Sequence, residues 1–334
     1  MKAADCPGAT IDGAEAARLL GGMRDAQPIL GHGPWVVASE WNSFLARFVH
    51  VRNDAGDDVA IKFGRGWSAA DVEYVSAEIL RVRRLFSELP GGSVEVPTVL
   101  GWSPEPAAIA LPFVSGENLF AALGDATNLL RSDGTRIMAI MRAAGEALGA
   151  YHSAERAPGD GATRRRARED MSAAVRRSGY RNSLLSRIES GIPLVRGYRL
   201  SHNDFTVVPG NEVGSGLVVL DPPHVRKFDH LHRDLSAFTL ALRTALVGER
   251  FVAEDDARCR EFVVLRDEVL EGYRTTGPAT LDTPLDAWLL RFYELSRIGS
   301  QIVGRLRSRR IVGATEIAIW WARERIALGN PPRG

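Results

Sequence analysis

The period of the hydrophobic pattern changes once along this chain, and that change restricts the folds open to it. Up to about residue 114 the apolar residues fall in short or alternating runs at 35–37, 45–51, 59–63, 98–102 and 107–114. Runs of this kind predict half-buried strands, and the turn residues at 53–58 predict a hairpin between the second and third. A single helical pattern interrupts them at 68–89, with Ser68 as N-cap, Val72, Val75, Ile79 and Val82 at helical spacing, and Pro90-Gly91-Gly92 as the stop. Beyond Ser115-Gly116-Glu117 the period becomes helical, at 135–153, 235–247, 257–273, 284–307 and 314–328. This order predicts a bilobal α+β chain. A small N-terminal antiparallel sheet with one helix occupies 1–114, a hinge lies about 111–117, and a mainly helical lobe fills 115–334.

Composition excludes several classes at once. With 334 residues, 45% of them hydrophobic, and 42 Lys+Arg against 41 Asp+Glu, the chain can bury a substantial core and is neither disordered nor fibrous. No stretch of 18 apolar residues suggests a membrane span. The first 30 residues carry Asp5, Asp12, Glu15 and Asp25 and do not read as a signal peptide. Cys6 and Cys259 lie far apart with no partners at metal-ligand spacing, so a reducing cytoplasm is the expected location. The even charge hides an arginine-rich stretch at 156–199, with 11 arginines against four acids, readable as a solvated helix face or loop or as an anion-binding segment.

Three groups of residues could carry chemistry. Val59-Ala60-Ile61-Lys62 ends a predicted strand whose alternation turns Ile61 and Lys62 to opposite faces, as in the strand-borne lysine that protein kinases place on nucleotide phosphates. Lysine occurs only three times in the chain, so one inside an apolar strand is conspicuous. Glu78, 16 residues on and within the predicted helix, is a candidate to hold Lys62, with Glu73 as the competitor. The third group is Leu200-Ser201-His202-Asn203-Asp204-Phe205, followed by the apolar run Leu217-Val218-Val219-Leu220 that ends in Asp221. Two aspartates 17 residues apart suit phosphoryl transfer, one acting on an acceptor hydroxyl and the other holding a metal on a nucleotide.

Together these residues resemble the aminoglycoside phosphotransferase and choline kinase-like family, of protein-kinase-like fold, over about residues 35–242. The resemblance implies that Asp204, in the His202-Asn203-Asp204 loop, is the catalytic base, with His202 structural, and that Asp221 binds magnesium. It implies that Asp234, in Asp234-Leu235, is structural and ties loop to helix. It also implies that Lys62 and Glu78 serve the phosphates of ATP or GTP and that the backbone of Phe113 and Val114 meets the base. The phosphate-covering turn would be Ser39-Glu40-Trp41-Asn42-Ser43, whose small polar residues Ser39, Asn42 and Ser43 could present N–H groups although no glycine is present.

The sequence departs from the family's pattern at three points. Proline stands at position 209, where the family has a second magnesium ligand, and Asn211 follows two residues later as the shifted or missing equivalent. The covering turn lacks glycine, and Pro222-Pro223 follow Asp221. The expected activity is transfer of the γ-phosphoryl group to a hydroxyl of an antibiotic or metabolite. A pseudokinase that binds nucleotide or a partner without turnover is the alternative. Arginines at 156–199 suit a neutral or anionic acceptor, whereas Glu254-Asp255-Asp256, Asp267-Glu268 and Glu271 could serve a cationic one. Nucleic acid fits poorly, since only Tyr180 and Tyr198 interleave the arginines. His232-Arg233-Asp234-Leu235 spells a kinase catalytic loop more literally, but Thr239 takes the asparagine position and helix follows. The histidines from His202 to His232 allow adventitious metal binding.

Overall fold

The computed structural model describes residues 11–31, 33–42, 46–89, 94–125, 129–154, 161–180, 194–196, 205–207, 217–219, 228–247, 257–307 and 311–331. The chain divides into two compact units. The first takes Met1–Glu88, Glu95–Gly116 and Val218–His224; the second takes Leu89–Val94, Glu117–Leu217 and Val225–Gly334.

In the first unit, helix α1 (Gly13–Gly21) and a 3-10 turn (Pro28–Gly31) precede strands β1 (Trp35–Asn42), β2 (Ala46–Asn53) and β3 (Asp58–Gly64). Helix α2 (Ala69–Ser87), the two-residue β4 (Val94–Glu95, of which Val94 falls to the second unit), β5 (Gly101–Pro104) and β6 (Ala107–Pro112) follow. The sheet is antiparallel in the order β1-β2-β3-β6-β5. The β2–β3 hairpin closes where the turn residues predict. Gly56 takes φ +86, and the Asn53 side chain brackets the turn by accepting from Asp57 N at 2.8 Å and donating to Asp57 Oδ2 at 2.7 Å. Ser68 caps α2 in a reciprocal box with Asp71.

Alternation divides the sheet's two faces. Val49, Val51, Val59, Ile61, Phe63, Ala108 and Ala110 share one buried cluster with Ala16 and Leu20 of α1. Sequence periodicity did not show α1, although Asp12 caps it by accepting from Glu15 N at 2.8 Å. The fourth strand was expected from residue 98 but begins at Gly101. The segment before it is held instead by Gln27 N donating to Leu100 O, and the strand itself is bridged at Trp102 by Arg24.

The second unit contains β7 (Glu117–Asn118), α3 (Leu119–Asp125), α4 (Leu129–Ala154), α5 (Gly161–Arg177), β8 (Leu194–Arg196), β9 (Phe205–Val207), β10 (Leu217–Val219, shared with the first unit), β11 (Phe228–His230), α6 (Leu231–Val247), α7 (Ala257–Thr276), α8 (Pro284–Arg307) and α9 (Ile311–Leu328). β7 pairs with β9, and β8 with β11. Helix α4 packs closely on α7 because both carry glycine at the crossing. A Cβ on Gly145 would stand 2.0 Å from the Val269 carbonyl oxygen, and one on Gly272 would stand 2.0 Å from that of Arg142. Among the described residues no helix is long and apolar enough to cross a membrane.

The arginine-rich stretch contains a helix that the sequence reading left open. In α5, Ala167, Met171, Ala174 and Val175 are buried, at helical spacing, while Arg164, Arg165, Arg166, Arg168 and Arg176 are exposed. For these five the solvated helix face is the observed arrangement.

Candidate functional site

Lys62 sits in β3 opposite Phe48 and Ile109, on the face away from α1. The residue is 3% exposed, and its ammonium lies 5.2 Å from the Trp67 ring centroid and 5.8 Å from that of Phe48. Pairing carries the same face onto Trp41 and His50. Trp41 stacks on Phe48 at 5.2 Å, and His50 stacks on Phe113 at 3.6 Å. The His50 ring is fixed by Asp58, whose Oδ1 accepts from Nε2 at 2.6 Å. Hydrogen bonds from Arg52, and further ones from His50, hold the Asp58 carboxyl below its usual range. The sequence reading missed this aromatic set. Its signal is the run of alternate positions 41, 48, 50 and 62 that the hairpin register places on one face.

Glu78 lies on α2 in the same unit and is 5% exposed. Its carboxylate accepts from Arg81 Nη2 at 2.7 Å and from Nε at 3.1 Å, a bidentate pair that the sequence reading did not anticipate. Ser39 and Asn42 stand elsewhere than expected. Both are exposed members of β1, paired in register with His50 and Arg47, so residues 39–42 are strand and not turn. The ladder continues because Trp41 gains a stacking partner and Glu40 an ion pair, its Oε1 lying 2.7 Å from Arg47 Nε. Phe113 donates its N–H to Asp58 O at 3.0 Å, and Val114 follows it, half-buried. His202, Asp204, Asn211, Asp221 and Ser43 lie outside the described residues. β9 begins directly after Asp204, and β10 ends two residues before Asp221.

In the second unit Asp234 occupies the first turn of α6, which starts four residues earlier than its periodicity suggests. Asp234 is 4% exposed, with Oδ2 3.4 Å from His152 Nε2, and His152 Nδ1 is 2.9 Å from the Tyr273 hydroxyl. A Tyr273 O–H donating to Nδ1 and an Nε2–H donating to Asp234 satisfy all three groups. Burial, reinforced by the charge of Asp234, pushes the Tyr273 hydroxyl above its ordinary range and keeps it a donor. Asp234 thus ties α6 to α4 and, through Tyr273, to α7. The literal His232-Arg233-Asp234 motif is helical, and Thr239, further along α6, donates to Glu294 Oε1 of α8 at 2.8 Å.

His230 is pushed down to about 3 by burial and by the charges of His232 and Arg233. His232 Nε2 donates to Asp286 Oδ1 at 2.7 Å, and Asp286 in turn caps α8 with Thr283. Among the described residues no three His, Cys, Asp or Glu side chains gather as a metal site, so the described part of the histidine-rich stretch does not form one. Hydrogen bonding from His232 and Thr283, against burial, lowers Asp286 to about 2 from 3.8. A lowered carboxyl pKa stabilises the fold above the unfolded value and loses that contribution as pH falls through the folded one. Asp286→Asn should therefore destabilise by about 2 kcal/mol at neutral pH, with the gap to wild type closing between about pH 4 and 2. Urea unfolding across that range tests this, and a gap independent of pH contradicts it.

Of the acids expected to serve a cationic acceptor, Glu254, Asp255 and Asp256 lie outside the described residues, and the other three are engaged with arginines. Asp267 pairs with Arg266, Glu268 with Arg142 and Glu271 with Arg274.

No family model matches the chain, and no curated protein matches it in sequence. Solved structures do. An amicoumacin kinase in complex with AMP-PNP, Ca2+ and Ami superposes with a TM-score of 0.51 at 14% identity, covering 92% of this chain and 90% of that one. A macrolide 2'-phosphotransferase type I gives 0.49 at 15% identity over 97% and 100%, and a glucosamine kinase 0.44 at 14% over 96% and 97%. Of the three, the amicoumacin kinase alone exceeds a TM-score of 0.5, and the assignment rests on it. A five-stranded antiparallel sheet with helices packed on it, then a helical unit, in a chain that superposes over nearly its whole length, is the protein-kinase-like fold, and this chain has it.

Proposed function

We propose that the chain is a small-molecule O-phosphotransferase that moves the γ-phosphoryl group of ATP or GTP to a hydroxyl of an antibiotic or metabolite in the cytoplasm. The observation that carries this reading is Lys62. An ammonium 3% exposed, set among Trp67, Phe48 and Trp41 on one sheet face, suits a phosphate chain with a base stacked beside it. Glu78, buried on α2, would position Lys62 while Arg81 holds its other flank. Asp204 would align the acceptor hydroxyl and take its proton. Asp221 and Asn211 offer the hard oxygen donors magnesium prefers, and magnesium, when bound, neutralises phosphate charge. Catalysis would come mainly from alignment, since a loose phosphoryl transition state asks little covalent help. The exposed arginines of α5, and the pairing of Asp267, Glu268 and Glu271, favour a neutral or anionic acceptor over a polycation.

Lys62→Met, which keeps the side chain's length, should weaken ATP or GTP binding about tenfold to a hundredfold, the worth of one charge-assisted hydrogen bond. Thermal unfolding with each nucleotide and magnesium, beside Asp221→Ala, reads this out. At about 100 times the dissociation constant a ligand stabilises by roughly 2.7 kcal/mol. A magnesium-dependent shift present in wild type and reduced in both variants supports the reading. A shift by neither nucleotide removes the nucleotide site. Pro209 and Pro222-Pro223 favour a second reading, a pseudokinase. It predicts the nucleotide shift without release of ADP or GDP in the presence of any acceptor.

A further inference from the structure

A cavity of about 830 Å³ lies within the second unit, lined from α6, α7, α8 and α9. Its size suits a small organic ligand. Phe262, Val263, Leu270, Leu290 and Trp320 give it apolar walls, and Val263 is 43% exposed, so the lining reaches solvent.

Charged groups share the lining, Arg243, Arg260, Arg266 and Arg291 with Glu294 and Glu324, and Arg243 stands apart from the rest. Arg243, on α6, is only 8% exposed, and its guanidinium carbon lies 4.1 Å from the Trp320 ring centroid. The acids nearby are already taken. Glu294 accepts from Thr239 Oγ1 at 2.8 Å and pairs with Arg291, which also pairs with Glu324. Among the described residues Arg243 has no hydrogen-bond or ion-pair partner. Burial and the repulsion of Arg291 lower its pKa, against the pull of Glu294 and Glu324. Arginine nonetheless stays protonated in proteins, so five N–H donors on a fixed planar fork meet the cavity in a poorly hydrated setting. A buried charge in that state is costly, and an oxyanion is its natural complement. Arg260 and Arg266 line the same space, Arg266 already paired with Asp267, and the four lining arginines outnumber Glu294 and Glu324, which leaves the cavity cationic.

We propose that this cavity binds a small organic anion, with a flat apolar body against Trp320, Phe262 and Leu290 and a carboxylate or phosphate head on Arg243. The proposal uses neither Lys62, Asp204 nor Asp221, and it stands whether or not the chain transfers phosphate.

Cys259 also lines the cavity and is half-buried, which supplies a reporter. In the full chain carrying Cys6→Ser it is the sole thiol, and its alkylation by N-ethylmaleimide can be timed with benzoate, phenyl phosphate, inorganic phosphate or benzyl alcohol present. Benzoate or phenyl phosphate should slow the reaction in a saturable way, and these two arms separate the head groups. Benzyl alcohol and inorganic phosphate, each lacking one half of the recognised chemistry, should need at least about tenfold higher concentration. Arg243→Met, checked for native thermal unfolding, should lose the protection, and Arg243→Lys should keep part of it. Equal protection by benzyl alcohol, equal protection by inorganic phosphate, undiminished protection in Arg243→Met, or no protection by either organic anion would each overturn the proposal. The probe comparison needs no Arg243 variant, so it stays decisive if Arg243→Met does not fold.

Discussion

Asp204→Asn is expected to lower turnover by about two to four orders of magnitude, the range that a positioned general base contributes, while nucleotide affinity stays within a few-fold of wild type. The asymmetry follows from the proposed role. Asn keeps the size and one acceptor oxygen of the side chain but cannot take the hydroxyl proton, so the loss falls on the chemical step and spares the ground state. Nucleotide release measured against an acceptor panel, with nucleotide binding measured separately, distinguishes the cases. A variant as fast as wild type would dismiss Asp204 as the base. A variant that had lost nucleotide affinity in equal measure would move Asp204 to the phosphate or metal side of the reaction.

The second large effect is structural. Gly145→Val would drive a branched side chain against the backbone of α7, where even a bare Cβ comes within 2.0 Å of the Val269 carbonyl oxygen. Backbone cannot yield as a flexible side chain does, so the helices must separate, at a cost of about 3 kcal/mol or more. Separation would also pull Tyr273 away from His152 and unseat the partner that His152 gives Asp234. Gly304→Ala is the control. Nothing lies within 4 Å of its added Cβ, so removing a helix-interior glycine there should stabilise by about 0.5–1 kcal/mol. Urea unfolding of the two variants should shift the midpoint in opposite directions. Equal midpoints would mean that the α4–α7 crossing tolerates a wider spacing.

What the sequence revealed about the fold was what local chemistry dictates. Ser68 with Asp71 starts a helix wherever a helical run follows, Asn53 with Gly56 closes a hairpin, and alternation alone turns Lys62 away from the core that takes Ile61. Helix α5 escaped because its arginines outweigh four small or apolar residues, Ala167, Met171, Ala174 and Val175, whose spacing was the usable signal. The expectation that 39–43 is a turn failed at 39–42 because strand propensity and cross-strand partners outweigh small polar residues. His152, Asp234 and Tyr273 meet across sequence separations of 82 and 121, which no local pattern encodes. The same holds for Arg243, whose lack of an ion-pair partner among the described residues depends on Arg291 having claimed both nearby glutamates.

The motifs that carry the sequence resemblance begin at about residue 35, yet Ala16, Leu20, Met23 and Leu30 fill the sheet's buried face and Arg24 bridges its outer strand. A chain trimmed to the recognisable motif would leave that face wet and β5 open to pairing with another molecule, the condition under which sheets aggregate. The stretch that the motifs mark out and the unit able to fold therefore have different starting points, and recombinant work should respect the second.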